Sequence, residues 1–258
     1  GNYNYTLTIS GILSKRHEIF LQGLMTKTGN IYELKTIPDF IPSFVILRVW
    51  NDAPTGTPAE TYKVDKFKGA QLTKLSFSGA SGDMVKYEAT FNITTFEREI
   101  NQKITGTKPA FSAIADGLFN FGDMEFDLPY GENNDAKSFS FNIGYEFPDD
   151  ATQYMNSLTR LPAIPLRVAG EFSYVNNYHK NGNEKILETL LYNNNQIEEQ
   201  VFTLKNNANT WSFGFYSQPI NYSLADPDKA LFENNITLRL AVSAVGEGYA
   251  PLLDISIT

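Results

Sequence analysis

Long runs of strictly alternating apolar and polar residues limit this chain's fold more than any other feature. Val85, Tyr87, Ala89, Phe91 and Ile93 interleave with Lys86, Glu88, Thr90 and Asn92. Phe139, Phe141, Ile143, Tyr145 and Phe147 form a second run, and Leu166, Val168, Gly170, Phe172 and Tyr174 a third. A fourth is Ile236, Leu238, Leu240, Val242 and Ala244. Side chains alternate across a strand but recur every 3.6 residues on a helix. Each run therefore predicts an antiparallel strand with one face in a core and the other on a polar surface. The 19 Phe and 14 Tyr suit pleated, half-buried surfaces, and clusters such as Asn193, Asn194 and Asn195 suit turns. A hydrophobic fraction of 42% is enough for a real core in a soluble chain.

Two segments carry helical spacing instead. Residues 14–25 place Ile19, Phe20 and Leu24 on one side, with Ser14 as N-cap. Residues 183–192 place Ile186, Leu187, Leu190 and Leu191 on one side, with Asn183 as cap and Glu184 in the first turn. A single shift of 167 positions lays the first helix on the second and carries Tyr5–Leu7 onto Phe172–Tyr174. The same shift carries Phe44 and Ile46 onto Trp211 and Phe213, while residues 85–93 best match 236–244 at a shift of 151. The recurrence predicts two tandem β-domains, 1–105 and 106–258, each with one short flanking α-helix and too long for a solenoid unit. The second opens with a hairpin, 119–128 and 137–147, turning through residues 130–134. Nothing equivalent precedes Tyr5, so either an N-terminal hairpin is missing or the copies are unequal. Residues 95–115, where alternation lapses around Gly106 and Pro109, read as the linker. Residues 51–66 and 148–165 carry Pro54, Gly56, Pro58 and Pro162 and read as long irregular loops with a role in assembly.

The chemistry the sequence offers is sparse. With no cysteine, disulfides, Cys-based metal sites and thiol catalysis are excluded. A net charge of −8 argues against gripping nucleic acid through a basic surface, but not against letting DNA slide past. No leader pattern opens the sequence, and no apolar run is long enough for a membrane helix. His17 and His179 have polar neighbours and read as solvated surface residues, without the further ligands zinc needs. Gly79-Ala80-Ser81-Gly82-Asp83 lacks the spacing of a nucleophile elbow and reads as a hairpin turn. Asp226-Pro227-Asp228 reads as a turn, because no calcium-loop series follows. The pairs Glu198–Glu199 and Asp149–Asp150 read as solvated charges, although a glycosidase needs only two carboxylates at the right separation. The sequons at Asn92 and Asn235 are expected by chance in an Asn-rich chain. No catalytic, cofactor-binding or metal-binding residue is expected, and the role read from this is non-enzymatic.

Residues 67–93 place a glycine, a short alternating strand, a Gly-Asp turn and a long alternating strand in series. Residues 235–244 and 249–257 follow as a closing pair of strands, after the 138–147 strand, the loop to Pro165 and the 184–192 helix. This order resembles the tail tube proteins of siphophages, in their two-domain form. The resemblance implies an all-β fold of two tandem β-sandwich or partial-barrel domains. It further implies self-association into stacked rings, as hexamers or as trimers with pseudo-six-fold symmetry. Long loops would reach into the next ring and set stacking, and other tail proteins would be partners. DNA would pass through the lumen without specific binding, with no membrane partner, in a virion tail made in the host cytoplasm. The polar faces of residues 84–93 and 236–244 would line that lumen, expected to be net negative. The alternative is a β-sandwich adhesin or carbohydrate-binding module of a tail tip or cell surface.

Overall fold

The computed structural model describes residues 5–34, 42–49, 61–103, 117–128, 131–132, 136–146, 164–175, 197–206, 209–218, 220–224, 235–243 and 253–258. They form antiparallel β-structure in two sheets, so the chain is all-β. The strands are β1 (Tyr5–Ile12), β2 (Met25–Thr28), β3 (Ile31–Leu34), β4 (Ser43–Val49), β5 (Thr61–Ala80), β6 (Lys86–Ile93), β7 (Thr95–Lys103) and β8 (Met124–Leu128). They continue as β9 (Gly131–Glu132), β10 (Ala136–Glu146), β11 (Ile164–Val175), β12 (Ile197–Lys205), β13 (Thr210–Gln218), β14 (Ile220–Leu224), β15 (Asn235–Ser243) and β16 (Leu253–Ile257).

The nine-stranded sheet runs β1-β6-β5-β10-β11-β15-β14, with β4 and β7 also pairing β5. The seven-stranded sheet runs β2-β3-β16-β13-β12-β8-β9. Both draw on the two halves of the sequence. They join where Phe77 of β5 faces Phe141 of β10, and where Tyr32 of β3 faces Ile255 of β16. In each sheet the first half lies at one end and the second half at the other. The order β1-β6-β5 recurs as β11-β15-β14, and β10 is the added strand of the second half. The part of the repeat built on Phe44 and Ile46 does not hold. They lie on β4 in the nine-stranded sheet, whereas Trp211 and Phe213 lie on β13 in the other. Every strand here alternates with the same period, so matching phase cannot say which sheet a strand joins.

The sheets pack through aromatic side chains that each strand's alternation turns inward. The Phe77 ring stacks on Phe141 at 5.0 Å and meets Phe213 at 5.7 Å and Trp211 at 6.2 Å. All four are buried, each stabilising the fold by roughly 1.5–3 kcal/mol relative to exposure. The expected hairpin of 119–128 with 137–147 is not formed. β8 pairs β12 and β9 in one sheet, while β10 pairs β5 and β11 in the other. Two amphipathic runs close in sequence had looked like hairpin partners, but the chain crosses between sheets at that point.

The first helical segment is Lys15–Gly23, wound as a 3₁₀ helix. In that winding residues i and i+3 eclipse, so His17, Phe20 and Gly23 share one row and Leu21 and Leu24 the next. Leu21 and Leu24 are buried, while Ile19, expected to face inward, is 50% exposed. The 183–192 helix, and residues 51–60 and 148–163 of the expected loops, lie outside the described residues. Thr61–Lys66 belong to β5 and Ile164 and Pro165 to β11, so those parts of the two expected loops are strand instead. Residues 95–103 of the expected linker are strand β7, paired to β5. Alternation lapses there because of a bulge between the Val64/Ile100 and Lys66/Glu97 pairs, where Glu99 adopts φ 49°. Asp65, fully buried, accepts a 3.0 Å hydrogen bond from the Glu99 backbone N–H and is ion-paired with Arg48, holding the bulge in place.

Candidate functional site

The seven-strand path of the nine-stranded sheet ends on β1 and β14, while β4 and β7 branch from β5 as two further edge strands, and the sheet has one polar face. Among the described residues β1 pairs only β6 and β14 pairs only β15. Both alternate in the same manner: Leu7 and Ile9 against Thr6, Thr8 and Ser10, and Ile220, Tyr222 and Leu224 against Asn221 and Ser223. Neither strand holds a proline or a charged residue, the usual devices that keep a sheet edge from pairing with another chain. Every neighbouring pair along the seven-strand path is antiparallel, so β1 and β14 run in the same direction.

The polar face is rich in hydroxyls. Ser10 lies opposite Glu88, Glu88 opposite Ser76, and Ser76 opposite Asn142, forming one cross-strand row. Ser76 Oγ donates to Asn142 Oδ1 at 2.7 Å within it. An open cleft of about 450 Å³ is lined by Ser10, Gly11, Ile12, Ser76, Ser78, Lys86, Tyr87 and Glu88. It adjoins a second of about 280 Å³ that shares Ser78 and Lys86 and reaches Ser138 and Ser140. Lys86 Nζ lies 2.7 Å from Asp83 Oδ2, and that contact holds the exposed Asp83 carboxyl below its ordinary range. Over β1, β6, Lys74–Ala80 of β5 and Ser138–Gly144 of β10, the polar positions carry Lys74, Lys86 and Glu88 among serines, threonines and asparagines. Chemically this stretch offers hydrogen bonds with little net charge.

Gly79–Asp83 forms the hairpin turn read from the sequence. Asp83 N–H donates to Ala80 O at 3.0 Å, and Gly82 takes φ 83°, a conformation glycine adopts without strain. His17 is not solvated: it is half-buried, with its ring 4.0 Å from Tyr87 and 6.0 Å from Phe20. Its Nδ1 accepts from the Ser14 backbone N–H at 2.9 Å. Burial lowers the His17 pKa and raises that of Tyr87. Alternation gave no hint of this pair, because the 3₁₀ row that aims His17 at Tyr87 was read as α-helix. Glu198 and Glu199 lie at the start of β12, Asn92 in β6 and Asn235 in β15. His179, Asp149, Asp150, Asp226 and Asp228 lie outside the described residues. Among the described residues no three His, Asp or Glu side chains converge as metal ligands, and no helix is long and apolar enough to cross a membrane.

Fold and surface together define an all-β, two-sheet protein in which the terminal strands β1 and β14 of the nine-stranded sheet carry no charge and have one partner each among the described residues. Neither a protein-family model nor a curated protein sequence matches the chain.

Proposed function

We propose that this chain is a structural, non-enzymatic subunit of a bacteriophage tail tube, whose copies join sheet end to sheet end into rings that stack around a channel for DNA. The observation that carries the reading is the junction inside the chain. There β5, the end of the β1-β6-β5 unit, is met by β10, which leads into the matching β11-β15-β14 unit. The outer ends repeat the situation, since β14 holds the place of β5 and β1 the place of β11. An edge of alternating, uncharged residues is stabilised by continuing the sheet, and ring closure removes edges altogether. A ring operator preserves strand direction. Neighbouring β14 and β1 therefore meet in parallel, or antiparallel across one further strand in the position β10 holds internally.

On this reading the hydroxyl-rich face lines the channel. A lining with little charge gives phosphates no cluster of cations and so little counterion-release affinity, which suits passage of DNA. The adhesin alternative draws less support, because Tyr87, Phe91, Phe139 and Phe141 are buried and not displayed. The test is negative-stain electron microscopy of the purified chain over a rising concentration series. Rings or tubes with a central channel are expected, and dispersed monomers throughout would reject the reading.

A further inference from the structure

We propose that residues 46–49 of β4, residues 61–68 of β5 and the whole of β7 form an arm that swings as one body against the rest of the nine-stranded sheet, about a joint at Val45, Gly69 and Thr94. The inference concerns the single subunit and holds whether or not its copies build a tube.

Strand β5 has 20 residues and changes partners along its length. Residues 71–78 pair β6 and residues 74–80 pair β10. Residues 61–68 pair β7, and residues 64–67 pair residues 46–49 of β4. At about 3.3 Å per residue, residues 61–68 carry the arm about 26 Å past the joint.

All three strands lose their regularity at one level. Lys68 and Gly69 together oppose Val45, a bulge in the ladder between β4 and β5. Gly69 takes φ 61°, in the left-handed region where a glycine meets no penalty. Thr94 is the break between β6 and β7 and lies against Gly69. Its N–H donates to Lys68 O at 3.2 Å and its hydroxyl to Gly69 O at 3.3 Å. Such strand-terminal and glycine positions are the ones that absorb the φ/ψ change of a hinge.

Beyond the joint the three strands are tied to one another by directional contacts. The buried Asp65 of β5 is ion-paired with Arg48 of β4 and accepts from the Glu99 N–H of β7, so one carboxylate spans the arm. Lys68 is ion-paired with Glu97, and the Phe67 ring stacks on Phe96 at 4.9 Å. Toward the body, Phe96 lies 6.0 Å from Tyr5 of β1, and Ile46 and Phe67 pack against the core. Apolar contact is non-directional, whereas a hydrogen bond weakens steeply off its axis. A rotation therefore costs less at the joint than inside the arm.

The chain has no cysteine, so introduced cysteines take spin labels at chosen positions only. Double electron–electron resonance reads one pair across the joint, Arg98→Cys with Ser140→Cys, and one within the body, Lys15→Cys with Ser140→Cys. All three positions are exposed. Labelled chain is diluted with unlabelled chain so that only distances within one chain are read. The pair across the joint should give a distance distribution at least about twice as wide as the body pair. Gly69→Ala sets a Cβ 2.6 Å from Thr94 Oγ1 and 2.9 Å from Thr94 Cβ, so it should shift the mean distance across the joint and leave that of the body pair in place. Matching widths for the two pairs overturn the inference, whether or not Gly69→Ala folds. A wide distribution that Gly69→Ala leaves unmoved overturns the joint as its source.

Discussion

Replacing Phe77 tests whether the two halves fold as one body. Phe77 belongs to β5 in the first half, yet its recorded ring partners, Phe141, Trp211 and Phe213, all lie in the second. The side chain is 2% exposed. Phe77→Ala therefore removes a buried ring and leaves a cavity, a change that costs about 3–5 kcal/mol. In a protein of this size each kcal/mol moves the melting temperature by about 2–4 °C, so a fall of about 8–16 °C is expected at the middle of that range. Phe77→Leu keeps most of the volume and loses the ring contacts, for about 1–2 kcal/mol. The chain has two tryptophans, so a Trp50→Phe background leaves Trp211 as the only indole reporter, in the half that was not altered. Its fluorescence should report the full shift in one transition that coincides with circular dichroism. A Trp211 midpoint that stays in place while part of the sheet signal melts earlier would refute the reasoning and show separately folding halves.

Four further outcomes are expected, three from local structure and the last from the tail-tube reading. Burial lowers the His17 pKa below its unfolded value of 6.5, so just below that pH the unfolded chain binds more protons than the folded one. Stability should fall as pH drops below about 6.5, and His17→Gln should flatten that slope; melting temperatures taken between about pH 7.5 and 5.5 decide it. Gly79→Ala would set a Cβ 2.5 Å from Phe139 Cε1 and 3.0 Å from Phe121 Cδ2, for about 1–3 kcal/mol in chemical denaturation. Gly82→Ala meets nothing within 4 Å and should cost only its backbone conformation, about 1–2 kcal/mol, whereas Gly82→Asn should cost less. Shortening residues 52–59 to a tight turn should block tube formation in electron micrographs while moving the melting temperature by less than about 3 °C. Normal tubes from that variant would mean the segment is only tolerated.

Strands β6 and β10 were legible because each buries one face, so that period two is written into the residues themselves. Val85–Ile93 and Ile236–Ala244 were found in this way, and they occupy matching places as β6 and β15. Pairing was less legible. Nothing in the alternation of Phe139–Phe147 says that its partners are β5 and β11 and not β8, because all of these strands alternate alike. The bulge at Glu99 hid β7, since one unpaired residue shifts the phase of everything after it. The 3₁₀ winding hid the burial of His17 by changing which residues share a row. The uncharged character of β1 and β14 was present in the sequence, but it gains meaning only once these strands are known to end a sheet.

The position of β16 has a consequence for biosynthesis. It lies between β13 and β3, so Ile31 waits for Ser256, and Tyr32 for Ile255, before the seven-stranded sheet is continuous. A ribosome releases β2 and β3 long before their remaining neighbour exists, and pairings across such separations form slowly because the loop they close is large. Until β16 has been made, β3 is held only by β2, and β13 lacks its second partner. A nascent chain therefore has an incomplete sandwich. The seven-stranded sheet would in this way stay incomplete until the last of its described strands had been translated, whereas every strand of the nine-stranded sheet precedes β16 in the chain.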